Sequence, residues 1–188
     1  MLLGFRRHRI AYRERYGVLA YRHLFFCFLI PFVVVGAAAV VFPFFVSGRP
    51  LLPRVVAYTV AAYLLVTMAL LEARGTEIFW DMEWRAFVYN VFPERGRVVT
   101  SGIFGWLRHP LYSAAMRFAF GVALMRNNLP ALLCAGLVGM GLWLLGAVEE
   151  RELVQRDPQY AAYRAAVPAF CAAHPVRFWR YLLTGHTD

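Results

Sequence analysis

The stretch RHPLYSAAMRFAFGVALMRNNLPALLCAGLVGMGLWLLGAVEE, Arg108 to Glu150, decides the fold of this chain. It contains two apolar runs, Leu111–Met125 and Leu129–Val148, separated by a short polar link. The link carries Asn127 and Asn128, followed by a proline, and these residue types favour tight turns. The pattern predicts a pair of antiparallel apolar helices.

The two feet of this hairpin carry opposite charges. At about 1.5 Å per helical residue, the path from the turn back to His109 covers about 27 Å, and the path forward to Glu149 about 31 Å. Arg108 and His109 should therefore lie close to Glu149 and Glu150 at one membrane face. Pro110 suits the first turn of a helix, where its missing N–H has no consequence. One interpretation is a salt bridge that closes the hairpin; the other is a pocket for a zwitterionic ligand with an amino acid head, a ribose and a base.

Two further apolar runs precede the hairpin, Leu24–Val46 and Val55–Leu71, and 61% of the 188 residues are hydrophobic. A bilayer core is about 30 Å thick, which about 20 helical residues span. The sequence thus predicts an all-α polytopic membrane helix bundle. It would have about four main transmembrane helices, with interfacial and C-terminal cytoplasmic helices.

The charge distribution predicts a topology. All 20 basic residues are arginines, and sixteen of them lie before the first run, between Arg74 and Arg108, or after the fourth run. Arg49, Arg54 and Arg126 alone fall on the other side. The excess of positive charge marks the cytoplasmic side, so both termini should be cytoplasmic. The net charge of +9 fits contact with anionic lipid headgroups better than nucleic acid, and an arginine-only, alanine-rich composition favours a bacterial inner membrane.

The chain is predicted to form a single integral membrane domain, residues 1–188. Residues 1–96 would supply a basic arm, two membrane helices and an interfacial helix within Glu72–Leu107. Residues 97–188 would supply the hairpin and a C-terminal lid, with a helix break near Asp157-Pro158. The three cysteines form no CxxC pair, so no metal site is predicted.

The segments GIFGWLRHPLY and EERELVQRDPQYAAYRAAVPAF resemble the isoprenylcysteine carboxyl methyltransferase and phospholipid N-methyltransferase superfamily. Its pattern reads roughly G-[IP]-[YF]-x-x-x-R-H-P-x-Y, an apolar hairpin, E-E-x-x-L and Y-x-x-Y-x-x-x-V-P. The positions that fit are Gly102, Phe104, Arg108, His109, Pro110, Tyr112, Glu149, Glu150, Leu153, Tyr160, Tyr163, Val167 and Pro168. The match covers about residues 97–175, with a one-residue difference in the spacing from E-E to Leu.

The resemblance implies S-adenosylmethionine as the cofactor. Arg108 and His109 would stand near its methionyl carboxylate, and Glu149 or Glu150 would accept hydrogen bonds from its ammonium or ribose hydroxyls. Arg108, His109 and Glu150 are the predicted catalytic residues. Methyl transfer from a sulfonium is an in-line displacement that depends mainly on alignment.

Three tyrosines and a proline complete the cofactor site that the resemblance implies. Tyr112, Tyr160 and Tyr163 would line the nucleoside or methyl-transfer region, and Pro168 would help to set the turn that closes the lid. Arg117 lies inside the third apolar run, where an arginine either snorkels to the interface or binds a ligand. It is the predicted substrate contact.

The resemblance therefore implies methyl transfer to a membrane-borne or lipophilic acceptor, such as an isoprenylcysteine-like carboxylate or a phospholipid amine. Membrane lipids and that acceptor are the expected partners. One alternative is an NADPH-dependent membrane reductase of sterol-reductase type, although those chains are usually much longer. The other alternative is a non-catalytic lipid-binding membrane protein.

Overall fold

The computed structural model describes residues 41–91 and 98–186, together with residues 11, 14–17, 34 and 36–38. Every regular element in these ranges is helical, as predicted. The helices are α1 (Arg54–Val91), α2 (Pro110–Arg126), α3 (Leu129–Arg156), α4 (Tyr160–Ala166) and α5 (Pro175–Thr184), with 3-10 helices at Phe42–Phe45 and Gly102–Gly105.

The chain divides into two compact units. One comprises Met1–Ala38 and Phe79–Arg97, and the other comprises Ala39–Ile78 and Val98–Asp188. The hairpin and both 3-10 helices belong to the second unit. Most of the predicted basic arm and most of the first apolar run lie outside the described residues.

Two described helices are long and apolar enough to cross a membrane. These spans are Arg54–Gly75, with 22 residues, and Leu129–Gln155, with 27 residues. Helix α2 has 17 residues and is not among them. The described residues thus contain two candidate spans, whereas the sequence predicts about four.

Two helix ends differ from the prediction. Helix α1 continues without a break from Arg54 to Val91, so the separate interfacial helix predicted after Leu71 was wrong. Acidic residues beyond Leu71 lower the hydropathy there, but they do not interrupt helical hydrogen bonding. Helix α3 similarly runs past Val148 to Arg156 as one helix. The predicted break is confirmed, since Asp157 has extended backbone angles and ends α3.

The predicted hairpin is present, and its turn follows from local chemistry. Asn127 ends α2 in the left-handed conformation, with φ of 50°, which asparagine tolerates better than most residues. Asn128 caps α3 by accepting a hydrogen bond from the Ala131 backbone N–H at 3.0 Å. Helices α2 and α3 then pack through small residues, which let membrane helices approach closely. The buried set is Ala119, Ala123, Ala131 and Ala135.

A loop before α1 fastens the turn end of the hairpin. The Asn127 side chain accepts from the Leu52 N–H at 3.0 Å and donates to the Leu52 carbonyl at 2.7 Å. The Asn128 side-chain amide donates to the Val46 carbonyl at 3.3 Å. We call these contacts the amide clasp. It contains only neutral groups.

Helix α5 closes the other end of the unit and was not predicted. Phe178, Tyr181 and Leu182 are buried against Leu71 and the Ile103–Leu107 segment. The ring of Trp106 stacks on Tyr181 with centroids 5.6 Å apart. The C-terminal segment is thus held against the middle of α1 and the segment that leads into α2.

Candidate functional site

Three cationic or imidazole groups converge on one buried carboxylate at the foot of the hairpin. Arg108 donates to Glu150 Oε2 at 3.0 Å, and Arg164 donates through its Nε to the same oxygen at 3.0 Å. His109 Nε2 lies 2.9 Å from Glu150 Oε1. Glu149 Oε2 lies 3.9 Å from His109 Nδ1. We call these five residues the charged foot.

The helices explain why these groups meet. Arg108 and His109 immediately precede α2, and Pro110 occupies its first turn. Glu149 and Glu150 lie in α3, on the far side of the turn. The hairpin therefore brings together the two charged pairs that the spacing predicts to be neighbours. Whether they bind a cofactor stays a prediction.

The two glutamates have different surroundings. The side chain of Glu150 is 8% exposed and that of Glu149 is 32% exposed. Both oxygens of Glu150 are engaged, since Oε2 accepts from two arginines and Oε1 faces the imidazole. Glu150 is therefore an internal counter-ion, and Glu149 is the more exposed of the two carboxylates.

The chain after α4 covers the charged foot by backbone pairing. The Arg108 and His109 N–H groups donate to the carbonyls of Pro168 and Ala169, each at 3.0 Å. The Ser113 hydroxyl donates to the Phe170 carbonyl at 2.6 Å. The predicted lid residue Pro168 is thus placed directly over the Arg108-His109 pair.

The imidazole of His109 lies between two aromatic rings. Tyr112 stacks on one face, with centroids 5.4 Å apart and planes 7° apart. Phe170 stacks at 5.4 Å with planes 24° apart. Gly146 of α3 makes room for this stack, because a Cβ there would lie 3.3 Å from both His109 Nε2 and the Phe170 ring. The ring therefore has one defined orientation.

Burial lowers the pKa of His109, and the neighbouring Arg108 acts in the same direction. Hydrogen bonding and attraction to Glu150 oppose this shift. Two arginines already compensate the charge of Glu150, so this carboxylate only partly offsets the cost of charging the buried imidazole. At neutral pH His109 is uncharged, and a hydrogen bond to the carboxylate requires the ring proton on Nε2. The lone pair is then on Nδ1.

The predicted tyrosine pair lies beside the charged foot. The rings of Tyr160 and Tyr163 are 5.5 Å apart. The Tyr163 hydroxyl donates to the Phe104 carbonyl at 2.7 Å, which fastens α4 to the 3-10 helix before α2. Burial raises the pKa of Tyr163 to about 12, and burial also raises the pKa of Tyr160 above its usual range. Both phenols are therefore uncharged at neutral pH.

Arg117 turns back along its own helix. Its guanidinium donates to the Ser113 carbonyl at 3.0 Å and also contacts the Ser113 hydroxyl. It points toward the charged foot, as a snorkelling arginine would. Its predicted contact with the substrate stays a prediction.

Sequence reasoning missed three residues of this site. Arg164 reaches Glu150 from α4, Phe170 covers His109, and Gly146 admits both rings. Arg164 directly follows Tyr163 of the recognised pattern, which was an available signal. The other two depend on contacts between distant segments.

A comparison with protein families gave a match. The family described as phospholipid methyltransferase matches residues 56–162, which is more than half of the chain. The matched range includes four of the five residues of the charged foot and ends before Arg164. Comparisons with curated proteins and with solved structures gave no match. The family is one of membrane enzymes that transfer a methyl group to lipid-type acceptors. The chain belongs to the phospholipid methyltransferase family.

Proposed function

We propose that this chain transfers a methyl group from S-adenosylmethionine to the headgroup amine of a membrane phospholipid, with the charged foot as the active site. The observation that carries the proposal is the convergence of Arg108, His109 and Arg164 on the buried Glu150. Family membership supports a lipid acceptor.

The residues of the charged foot fit the cofactor. The Nε of Arg108 is buried and has no hydrogen-bond partner in the part of the chain that the structure describes. A buried unpaired donor is unfavourable, and a carboxylate such as that of the methionyl group would satisfy it. Glu149 offers a carboxylate of opposite sign that suits the ammonium. The bound cofactor supplies a methyl group on a positively charged sulfur.

Glu150 and Arg164 would act by positioning. Glu150 holds the guanidinium of Arg108 and the imidazole of His109, while Arg164 ties α4 to the same carboxylate. Fixed orientation of reacting groups contributes strongly to a displacement reaction. The covering segment at Pro168–Phe170 would exclude water from this site.

His109 has the protonation state that an amine acceptor requires. A phospholipid ammonium must lose a proton before it can attack a methyl group. The uncharged imidazole carries a lone pair on Nδ1, which can take that proton. Its lowered pKa keeps this form present at neutral pH.

The proposal includes the membrane arrangement. Four membrane helices would place the charged foot and both termini at the cytoplasmic face, in a bacterial inner membrane. Residues 1–96 and 97–188 would act as one membrane domain, with the first part shaping the acceptor entrance. The arginine distribution supports this orientation.

The test is transfer of a labelled methyl group in native membranes. Incubation with methyl-labelled S-adenosylmethionine should label a phospholipid in the wild type and not in Glu150→Gln. Gly136→Ala is the matched control, because a Cβ at Gly136 meets no atom within 4 Å. Absence of label from every lipid, protein and volatile fraction, or tight binding of NADPH alone, would overturn the proposal.

A further inference from the structure

The covering segment, Pro168–Phe170, is joined to the start of α2 by hydrogen bonds of two kinds. The backbone N–H groups of Arg108 and His109 donate to its first two carbonyls, each at 3.0 Å. A side chain supplies the other kind, since the Ser113 hydroxyl donates to the Phe170 carbonyl at 2.6 Å. This side-chain bond can be removed by substitution, whereas the backbone bonds cannot.

Ser113 directs its hydroxyl away from its own helix. The residue is buried, with 1% of its surface exposed, and its N–H makes the helical bond to the His109 carbonyl at 2.9 Å. A serine inside a helix often turns its hydroxyl back to the carbonyl four residues earlier. Ser113 instead donates to Phe170, so it joins two separate parts of the chain.

Arg117 supports this direction from the next turn of α2. Its Nη1 donates to the Ser113 carbonyl at 3.0 Å and also contacts the Ser113 hydroxyl. A guanidinium only donates, so the hydroxyl oxygen is its acceptor and the hydroxyl proton is left for the Phe170 carbonyl. A hydroxyl that accepts from a cation is also a stronger donor. Arg117 thus strengthens a bond that it does not itself make.

The bond from Ser113 also controls where the Phe170 ring lies. The ring stacks on the imidazole of His109 with centroids 5.4 Å apart, while the carbonyl of the same residue is held by Ser113. Ser113 lies one helical turn after His109, so both contacts hold Phe170 against one face of the same segment. Releasing the carbonyl would therefore loosen the ring that orients the imidazole.

We propose that Ser113 and Arg117 are positioning residues for the reaction, which hold the covering segment closed so that Phe170 keeps His109 in one orientation. This role rests on the methyl transfer proposed above. It explains why a charge lies within the apolar run of α2, since charged residues inside membrane segments are costly and mark functional positions. It differs from direct contact of Arg117 with the acceptor, which would leave the covering segment unaffected.

Amide hydrogen exchange, followed by NMR in the purified full chain in detergent without a methyl donor, measures the closure. The Arg108 and His109 N–H groups donate to the covering segment, so their exchange reports its opening. Ser113→Ala should speed this exchange at least about tenfold, the factor that 1.4 kcal/mol produces. Arg117→Gln should speed it by less, about threefold, because the hydroxyl remains. The Asn127 amide, at the turn end of α2, should exchange at the wild-type rate in both variants.

The matched control is Thr67→Val, which removes another buried hydroxyl. Thr67 is 4% exposed, and its hydroxyl bonds to carbonyls of its own helix, those of Tyr63 and Leu64. In this variant the Arg108 and His109 amides should exchange as they do in the wild type. Faster exchange there would show that loss of any buried hydroxyl opens the covering segment, and it would overturn the specific role of Ser113.

Steady-state kinetics separate positioning from a purely structural role. With phosphatidylethanolamine in mixed micelles as the acceptor, Ser113→Ala should lower kcat about tenfold and leave the KM for this lipid within about twofold of the wild type. Unchanged exchange in Ser113→Ala would overturn the proposal, and so would faster exchange with an unchanged kcat. A higher KM in Arg117→Gln with unchanged exchange would overturn the positioning role of Arg117 and assign it to the acceptor.

The exchange measurement also separates this proposal from the proposed function. If the wild type transferred no methyl group, the proposed function would fail. The exchange of the Arg108 and His109 amides would still decide whether Ser113 and Arg117 close the covering segment, because it needs neither donor nor acceptor.

Discussion

The two ends of the α2–α3 hairpin are closed in opposite ways. At the turn, the amide clasp joins Asn127 and Asn128 to the backbone of residues 46–52 through neutral hydrogen bonds alone. At the foot, a buried carboxylate holds two guanidinium groups and an imidazole. Beside the clasp, the guanidinium of Arg126 donates to the Phe44 carbonyl at 3.4 Å, so neutral hydrogen bonds and this one arginine hold the turn end. A buried ion pair is weak evidence for a stabilising role, which is why we propose ligand binding for the charged foot.

The largest effect should come from Glu150→Gln. Removing this charge leaves Arg108, Arg164 and His109 without their shared partner, and breaking a buried ion pair in this way costs about 3–5 kcal/mol. If this interaction energy also holds Arg108 and His109 in the orientation needed for the reaction, the rate of methyl transfer should fall by more than about 100-fold. The measurement is the initial rate of labelled lipid formation per folded molecule. A rate within threefold of the wild type would show that Glu150 serves only stability.

A smaller effect is expected from Gly146→Ala. The added methyl group meets His109 Nε2 and the Phe170 ring at 3.3 Å, so the imidazole must move by a few tenths of an ångström. Since small misplacements of reacting groups reduce rates strongly, we expect a loss of about tenfold in turnover. Gly136→Ala, in the same helix, should behave as the wild type. Equal turnover in both variants would contradict the role assigned to the histidine orientation.

At the amide clasp the effect should be on stability and not on turnover. Asn127→Ala removes two hydrogen bonds to Leu52 and strains the left-handed backbone, so unfolding should become easier by about 1–3 kcal/mol. Asn127→Gly removes the same bonds without the strain and should lose less. The midpoint of thermal unfolding in detergent measures both. A large loss of turnover per folded molecule would show that the two ends are not independent.

The smallest effect is a dependence of stability on pH. The pKa of His109 in the folded chain lies below its ordinary value of 6.5, so the unfolded chain takes up this proton first as the pH falls. The contribution is fully present above pH 6.5 and is lost as the pH falls from 6.5 through the lower folded pKa. Thermal unfolding of His109→Gln should show a shallower decline over this range. An equal decline would assign the dependence to other groups.

The comparison also shows which features the sequence could predict. The hairpin turn, the first turn of α2 at Pro110 and the break at Asp157 depend on local chemistry, and all three were predicted. The meeting of Arg108 with Glu150 followed from counting residues along two helices. The continuation of α1 beyond Leu71 was not predicted. Hydropathy indicates whether a segment lies in an apolar or an aqueous environment, but it does not indicate where a helix ends.

Two of the missed residues, Phe170 and Gly146, depend on contacts between distant segments. Phe170 lies over His109 only because the backbone of residues 168–169 pairs with that of residues 108–109. Helix α5 did have local signals, since Pro175 begins it, Gly185 ends it and Phe178, Tyr181 and Leu182 have helical spacing.

The most direct test of the charged foot is isothermal titration of the purified chain with S-adenosylhomocysteine. The wild type and Asn127→Gly should bind it equally well, whereas Arg108→Gln and Glu149→Gln should each bind it at least about tenfold more weakly, the change that 1.4 kcal/mol produces. Unchanged affinity in both charged-foot variants would place the cofactor elsewhere and would contradict the account.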